Sequence, residues 1–326
     1  MKLGSLKSGG RDGTLVVVSR DLTRMVTASD IAPSLREAVE NWAIARPLLQ
    51  VVSDRLNNGD EAGQAYDAAL LASPLPRTFQ WADGSAYLSH MRLVRQARGA
   101  EMPESFKTDP LMYQGAGDTF LAPQDDIALY DESWGLDFES EISVIVDDTP
   151  AGTDSVTAKD KILLIALCND ISLRNLIPNE LAKGFGFFQS KPSSAFSPVC
   201  VTPDELGDVW DGGKVNLPLV TTYNGTEFGR VEAGNDLYFD FPHLISHVAK
   251  TRAIGAGAII GSGTVSNEDY KTLGSSCLAE KRMIEILETG SPITPFMSDG
   301  DTIKIEMFDG SGQSIFGAID QKVVAK

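Results

Sequence analysis

The first seventy residues show two patterns of apolar and polar positions. Thr14 to Ser19 is a short β-branched run and predicts a strand. From Leu35 to Leu56 the apolar side chains recur at helical spacing and predict a helix. Prolines in the stretch from Ala72 to Pro76 block regular structure and indicate a linker. We therefore expect a small N-terminal domain over residues 1–72 and a second domain over residues 73–326.

Beyond residue 72 the pattern changes to short apolar segments separated by glycine and proline. Four of these segments predict strands: Glu139 to Val146, Val199 to Thr202, Val215 to Tyr223 and Ile303 to Phe308. Two predict helices, the apolar stretch from Asp160 to Cys168 and the segment from Phe241 to Arg252. Strands and helices do not alternate regularly, which disfavours a doubly wound parallel sheet and favours a β-rich α+β fold.

Composition and charge narrow the possible partners. Hydrophobic residues make up 42% of the 326 positions, which is typical of a globular protein with a sizeable core. The formal net charge of −17 would repel a phosphate backbone, so we expect no nucleic-acid partner. Three widely spaced cysteines suit neither a disulfide framework nor a cysteine-based zinc site. With no signal-peptide pattern and no apolar run of about 18 residues, we expect a cytoplasmic protein without a membrane partner.

The segment from Leu136 to Val144 carries the strongest chemical signal. On a strand, Glu139 and Glu141 would point to the same side, with backbones about 7 Å apart. Two carboxylates on one face repel each other unless water or a cation separates them, and a hard cation such as Mg²⁺ or Ca²⁺ prefers oxygen ligands. A solvated outer face of a sheet would give the same alternation, so both interpretations stay open here.

Other polar residues are weaker signals by themselves. Asp83 lies in a turn before an expected helix, where an N-cap is the simplest interpretation. Asp170 ends an apolar stretch, which suits a site but is also ordinary turn chemistry. The loop from Gly261 to Thr264 lacks the dinucleotide and P-loop patterns, but its N–H groups and hydroxyls could bind a carboxylate or carbonyl.

Taken in order from Arg77 to the C-terminus, these segments resemble the fumarylacetoacetate hydrolase family. The acidic strand is similar to the family's metal-binding strand. The resemblance extends to three more motifs, which are the stretch from Asn169 to Arg174, the stretch from Ser190 to Pro198, and the loop from Gly261 to Ser266. It implies a catalytic domain of mixed sheets like that of fumarylacetoacetase, preceded by a small N-terminal domain, and a homodimer.

The resemblance also implies roles for individual residues. It assigns a divalent metal, Mg²⁺ first with Ca²⁺ or Mn²⁺ as alternatives, to the ligands Asp83, Glu139, Glu141 and Asp170. It implies that His90, seven residues after Asp83, activates water and that Glu280 orients the histidine. Positive charges for an acidic substrate and its oxyanion would come from Arg174 and Lys191. Further substrate contacts are expected from Tyr113, Ser85, Gln189 and Thr264.

Two positions depart from the family pattern and affect the expected substrate. Ser85 replaces a substrate-contacting tyrosine, and Ile177 replaces a glutamine whose amide Gln189 or Gln114 could supply. The expected reaction is hydrolysis of a C–C bond in a small anionic β-diketo acid, fumarylacetoacetate of tyrosine and homogentisate catabolism first. The alternatives are an acylpyruvate hydrolase, an oxaloacetate-type decarboxylase, a hydratase or isomerase of aromatic catabolism, or a non-catalytic metal-binding module.

Overall fold

Short strands and helices follow one another without regular alternation along the chain. The computed structural model describes residues 1–97 and 103–326. In this part of the chain the strands are β1 Lys2–Leu6, β2 Thr14–Val18, β3 Arg24–Thr27, β4 Gln64–Ala65, β5 Leu71–Ala72, β6 Trp81–Gly84, β7 Met112–Gly115, β8 Ile127–Leu129, β9 Leu136–Asp137, β10 Ser140–Val146, β11 Ile162–Asn169, β12 Ser172–Leu173, β13 Ala195–Phe196, β14 Val199–Val201, β15 Pro218–Tyr223, β16 Thr226–Glu232, β17 Ile259–Gly261, β18 Thr302–Met307 and β19 Ile319–Ala325. The α-helices are α1 Leu35–Glu40, α2 Trp42–Asn58, α3 Leu88–Ala97, α4 Ser155–Ala158, α5 Ile177–Leu181, α6 Pro203–Leu206, α7 Phe241–Val248, α8 Tyr270–Leu273 and α9 Leu278–Thr289.

A large mixed sheet joins the start of the chain to the strands that carry the acidic residues. Its order is β4-β3-β2-β1-β14-β11-β10-β17-β6-β7, with β5 paired to β1 and β13 paired to β11. Strands β17 and β6 run parallel, and this register sets Gly261 beside Asp83. A five-stranded sheet has the order β16-β15-β18-β19-β8, and β12 pairs with β9. The acidic strands therefore lie in the interior of the large sheet.

The centre of the large sheet is buried on both faces. Every residue of β10 and β11 is buried, and these two strands pair over their whole length. On β6, Trp81 packs edge-on against Phe196 with ring centroids 5.4 Å apart. Polar side chains on β10 and β11, such as Ser140, Glu141 and Asn169, are therefore buried together with the apolar ones.

The structure confirms most of the predicted elements, divides one helix into two and contradicts another. The predicted strands are present with shifted ends, and Phe241–Val248 is helical. The predicted helix over the range 35–56 is two helices, which meet at Asn41. The predicted helix from Asp160 to Cys168 is wrong, because this stretch forms β11. A strand buried on both faces has a continuous apolar sequence, which periodicity does not distinguish from a buried helix.

Two further expectations concern the N-terminal region and membranes. Strand β1 pairs with β2 on one side and with β14 on the other, so the large sheet is continuous across residue 72. The division into residues 1–72 and 73–326 stays a prediction. Among the helices that the structure describes, none is both long and apolar enough to cross a membrane.

Candidate metal centre and acid–base pair

Three buried carboxylates converge at one end of the interior strands of the large sheet. Asp83 lies on β6, Glu141 on β10, and Asp170 directly follows β11. One ligand oxygen from each lies within 4.8 Å of the others. Burial of three acids at this separation is unfavourable unless positive charge is close. The arrangement brings together three of the four residues expected to bind metal.

Among these three acids, Glu141 is the one whose carboxylate accepts no hydrogen bond from the described residues. Its side chain is fully buried, and neither carboxylate oxygen has a hydrogen-bond partner. Burial, together with the charges of Asp83 and Asp170, raises the pKa of Glu141 well above its ordinary value. A buried carboxylate without a donor is costly, and a divalent cation would satisfy it. Because every donor in this group is a carboxylate oxygen, the site fits a hard ion such as Mg²⁺, Ca²⁺ or Mn²⁺.

Glu139 lies beside this group in a different environment. Its two oxygens accept hydrogen bonds from Nη2 of Arg174 at 2.7 Å and from Nζ of Lys191 at 2.5 Å. Burial alone would raise the pKa of Glu139, but the charges of Arg174 and Lys191 outweigh burial and lower it. Nζ of Lys191 also lies 2.5 Å from Asp170, so the ammonium joins the two acids. The ligand role of Glu139 stays a prediction.

Tyr113 contacts the carboxylates through Asp170. Its hydroxyl donates to Oδ2 of Asp170 at 2.7 Å, and Ser194 donates to Oδ1 at the same distance. The Lys191 ammonium lies 5.1 Å from the centre of the Tyr113 ring, in cation–π geometry. Tyr113, expected to bind substrate, therefore lies against the predicted metal ligands.

A histidine and a glutamate form a second polar group, on two helices. His90 comes from α3 and Glu280 from α9, two helices that pack against each other. Nδ1 of His90 lies 2.9 Å from Oε2 of Glu280, and Glu280 is fully buried. The start of α9 lies near the carboxylates, because Arg174 joins Glu139 to Asp137 and Asp137 accepts the N–H of Ala279. The structure brings these two residues together, and their catalytic role stays a prediction.

The remaining residues expected to bind substrate are Gln189, Thr264 and Ser85, with Gln114 as a second possible source of an amide. Gln189 is exposed, and its backbone N–H donates to Glu180. Thr264, in the glycine loop, is buried, and the backbone N–H of Ser85 donates to the carbonyl oxygen of Leu111. Gln114 follows Tyr113 on β7, so its side chain points to the opposite face, where its amide donates to Gln80.

The guanidinium of Arg174 donates hydrogen bonds to two carboxylates of the protein. Nε donates to Asp137 at 2.8 Å and Nη2 donates to Glu139 at 2.7 Å. The resemblance implies a substrate contact for this residue; in the structure its guanidinium contacts two carboxylates, and the substrate contact stays a prediction. Sequence reasoning gave Asp137 no role, although it stands two residues before Glu139.

The glycine loop supports Asp83. The N–H of Gly263 donates to Oδ1 of Asp83 at 3.0 Å, and Gly263 has a φ of +75°. A Cβ on Gly263 would lie 2.1 Å from the carbonyl oxygen of Gly84. At Gly261 a Cβ would lie 2.2 Å from Oδ1 of Asp83. Both glycines are therefore needed for the close approach of this loop to the carboxylate.

Replacing Gly261 with alanine is expected to weaken metal binding at least tenfold, because the new methyl would displace the Asp83 carboxylate. Overpacking of this kind also costs stability, by about 1–3 kcal/mol. Calorimetric titration with Mn²⁺ and thermal unfolding measure the two effects. Gly255→Ala is the control, since a Cβ there meets nothing within 4 Å. Equal Mn²⁺ affinity in the two variants would contradict the role given to Gly261.

Comparison with known proteins places this site in a family. Residues 80–324 match the Fumarylacetoacetate (FAA) hydrolase C-terminal family model, and residues 1–77 match Fumarylacetoacetase N-terminal domain 2. The chain belongs to the fumarylacetoacetate hydrolase family. The resemblance and the α+β fold of mixed sheets expected from the sequence are thereby confirmed.

Individual relatives of the chain are distant. It is 30% identical over 162 residues to a 2,4-didehydro-3-deoxy-L-rhamnonate hydrolase of Sphingomonas sp. (strain SKA58), covering 48% of this chain and about half, 53%, of that protein. It is 28% identical over 204 residues to the mitochondrial oxaloacetate tautomerase FAHD1 of Bos taurus, covering 59% of this chain and 83% of that protein. The structure of maleylpyruvate hydrolase from Sphingobium sp. SYK-6 with manganese (II) and pyruvate superposes with a TM-score of 0.64 at 16% identity, covering 100% of this chain and 99% of that one.

Proposed function

We propose that the protein is a divalent-metal-dependent hydrolase that cleaves a C–C bond in a small anionic diketo acid. Fumarylacetoacetate is the first candidate substrate, with fumarate and acetoacetate as products. The observation that carries this proposal is the contact between His90 and buried Glu280 beside the acidic centre. A hydrolase needs an activated water, and an oriented imidazole next to a metal site can supply it.

The acid–base pair can move a proton at a defined atom. Because Nδ1 of His90 faces the Glu280 carboxylate, the neutral imidazole keeps its proton on Nδ1 and leaves Nε2 as the acceptor. His90 then takes a proton from the attacking water through Nε2 and later returns it to the carbon leaving group. Glu280 stabilises the imidazolium that forms in between, as the acid does in a Ser-His-Asp triad.

The carboxylates define where the substrate carbonyl would bind. Held by Asp83, Glu141 and Asp170, with Glu139 as a fourth ligand, a divalent ion would polarise the carbonyl and stabilise the enolate that leaves. Lys191 and Arg174 balance the negative charge around these ligands. The Lys191 ammonium beside these ligands is the positive charge that would receive the substrate carboxylate or oxyanion.

The ion, the assembly and the location complete the proposal. We propose Mg²⁺ as the ion, with Ca²⁺ or Mn²⁺ as alternatives; manganese is the ion in the similar maleylpyruvate hydrolase structure. We also propose a homodimer in the cytoplasm with a small keto acid as its ligand and no nucleic-acid partner. Light scattering coupled to gel filtration measures the assembly.

A second candidate reaction stays within the same family. The protein would then act on another keto acid, such as an acylpyruvate or oxaloacetate, by hydrolysis, decarboxylation or isomerisation. Ser85 and Ile177 favour this candidate, because they replace two side chains that the family pattern provides for substrate. The similarity to an oxaloacetate tautomerase supports it as well.

The deciding experiment follows the loss of fumarylacetoacetate absorbance with Mg²⁺ and again after EDTA. Metal-dependent turnover would support the first candidate. Turnover of acylpyruvate or oxaloacetate alone would support the second. Absence of turnover across this panel, in protein that binds Mn²⁺ tightly, would instead support a non-catalytic metal-binding module.

A further inference from the structure

Asp137 is a fully buried carboxylate that holds two parts of the site at once. It ends β9, and its oxygens accept three hydrogen bonds. Oδ1 accepts from the N–H of Leu278 at 2.8 Å, and Oδ2 accepts from the N–H of Ala279 at 2.9 Å. Nε of Arg174 also donates to Oδ2, at 2.8 Å. Asp137 therefore connects the start of α9 to a guanidinium.

One of these connections leads to the metal centre. Arg174 bridges Asp137 and Glu139, with contacts of 2.8 and 2.7 Å to the two acids. The planar guanidinium fixes the angle between its donors, so holding Nε fixes the direction in which Nη2 points. Asp137 thus determines the position of the Arg174 donor that binds Glu139.

The other connection leads to the acid–base pair. Leu278 and Ala279 are the first two residues of α9, and Glu280 is the third. The N-cap is Cys277, whose sulfur, a weak acceptor, lies 3.3 Å from the N–H of Glu280. The strong acceptor at this helix end is the Asp137 carboxylate, whose charge also suits a helix N-terminus.

The position of Glu280 depends on the helix that carries it. Its Oε2 contacts His90, and its Oε1 is buried without a hydrogen-bond partner. Apart from His90, no side chain in the described residues holds this carboxylate by a hydrogen bond. The position of the first turn of α9 therefore sets where Glu280 meets the imidazole.

We propose that Asp137 is a positioning residue that holds Glu139 through Arg174 and Glu280 through the first turn of α9, and so fixes the metal centre and the acid–base pair relative to each other. This inference rests on the proposed function, because it assigns those two groups to one reaction. A cap alone would need no arginine, and an arginine clamp alone would need no contact with α9. Asp137 contacts both Arg174 and the start of α9, which favours a role in linking the metal centre to the acid–base pair.

Asp137→Asn tests this proposal with almost no change in shape. The asparagine oxygen can still accept one N–H, but its NH₂ group would face donors that the carboxylate now binds. We expect kcat to fall about 10- to 100-fold, KM to change less than about threefold, and Mn²⁺ affinity to fall about threefold or more, as for outer-shell partners of metal ligands. Asp240→Asn is the matched control, because Asp240 caps α7 by accepting the N–H of His243 at 3.0 Å. It should leave kcat and Mn²⁺ affinity unchanged.

A double variant separates positioning from loss of stability. The comparison is made at saturating Mn²⁺, so that weaker metal binding does not lower kcat. If Asp137 acts on turnover through Glu280, Asp137→Asn should then reduce kcat by less than about threefold in a Glu280→Gln background. A full 10- to 100-fold loss in that background would overturn the proposal. Should Asp137→Asn not fold, Arg174→Lys interrupts the same connection at its other end and is expected to lower Mn²⁺ affinity; unchanged affinity would overturn it.

The readouts also distinguish this proposal from the proposed function. A wild-type protein that binds Mn²⁺ but turns over no substrate would contradict the proposed hydrolase activity. The link from Asp137 to Glu139 is then judged by Mn²⁺ affinity alone. Weaker binding in Asp137→Asn than in Asp240→Asn would support it, and equal binding would overturn it.

Discussion

Replacing His90 with alanine is expected to lower kcat by about 10²- to 10⁴-fold, which is the usual contribution of a positioned general base. Divalent-metal affinity should stay within about twofold of the wild type, because the imidazole contacts Glu280 and not the three-carboxylate group. Steady-state kinetics on the active substrate and calorimetric titration with Mn²⁺ measure the two quantities on one preparation.

The control for this variant is His243→Ala. His243 lies on α7, where its ring contacts Asp240, and its removal should leave both quantities unchanged. A double variant, His90→Ala with Glu280→Gln, should be no slower than His90→Ala alone, since residues that act as a unit are not additive. Equal loss of turnover and metal affinity in His90→Ala would contradict the division of roles between the pair and the carboxylates.

The fold class could be predicted from the sequence, and the one wrong element has a physical cause. The irregular order of short apolar segments was enough to indicate an α+β fold of mixed sheets. The stretch that forms β11 was misassigned because all eight of its residues are buried, between β10 on one side and β13 and β14 on the other. Its neighbours in the sheet lie outside the stretch itself, and the pattern within the stretch does not report them.

The residues of the site could be predicted by motif, but their partners could not. Glu139 and Glu141 look equivalent in the sequence, two positions apart on one strand. In the structure Glu139 accepts hydrogen bonds from two positively charged side chains, while Glu141 has no hydrogen-bond partner. The difference comes from Lys191 and Arg174, which reach Glu139 across 52 and 35 positions of the chain. Such contacts depend on the tertiary fold, which also explains why Asp137 was missed.

The lack of hydrogen bonds at Glu141 leads to a prediction for the stability of the metal-free protein. Glu141→Gln is expected to abolish stabilisation by metal and to raise the metal-free unfolding free energy by about 1–3 kcal/mol at pH 8. Without metal, the folded wild-type protein must either keep Glu141 protonated or bury its charge without a donor, and both are costly at this pH. Wild-type protein should gain about 2.7 kcal/mol at a metal concentration of 100 times Kd. Thermal unfolding with EDTA and with Mg²⁺ measures both effects.

The pH dependence of the metal-free protein tests the same assignment. Burial raises the folded-state pKa of Glu141, with a smaller contribution from Asp83 and Asp170, so the folded state keeps a proton that the unfolded chain has lost. This contribution to stability is complete below the unfolded pKa of about 4.3 and is lost as pH rises through the folded pKa. The wild-type protein in EDTA should therefore lose stability as pH rises above this value. Glu141→Gln should lose less, with Asp83 retaining part of the dependence.

A second buried glutamate provides the matched control for this prediction. Glu285 on α9 is also buried, but its Oε2 accepts from the N–H groups of Ile293 and Thr294 at 2.6 and 2.8 Å, and its Oε1 accepts from the Thr294 hydroxyl. Glu285→Gln loses satisfied hydrogen bonds, so it should destabilise the protein by about 1–3 kcal/mol and leave the metal response intact. If Glu141→Gln behaved in this way instead, Glu141 would be a structural acid. The opposite signs of the two expected effects follow from one difference, because Glu285 has its donors within the protein and Glu141 requires a cation.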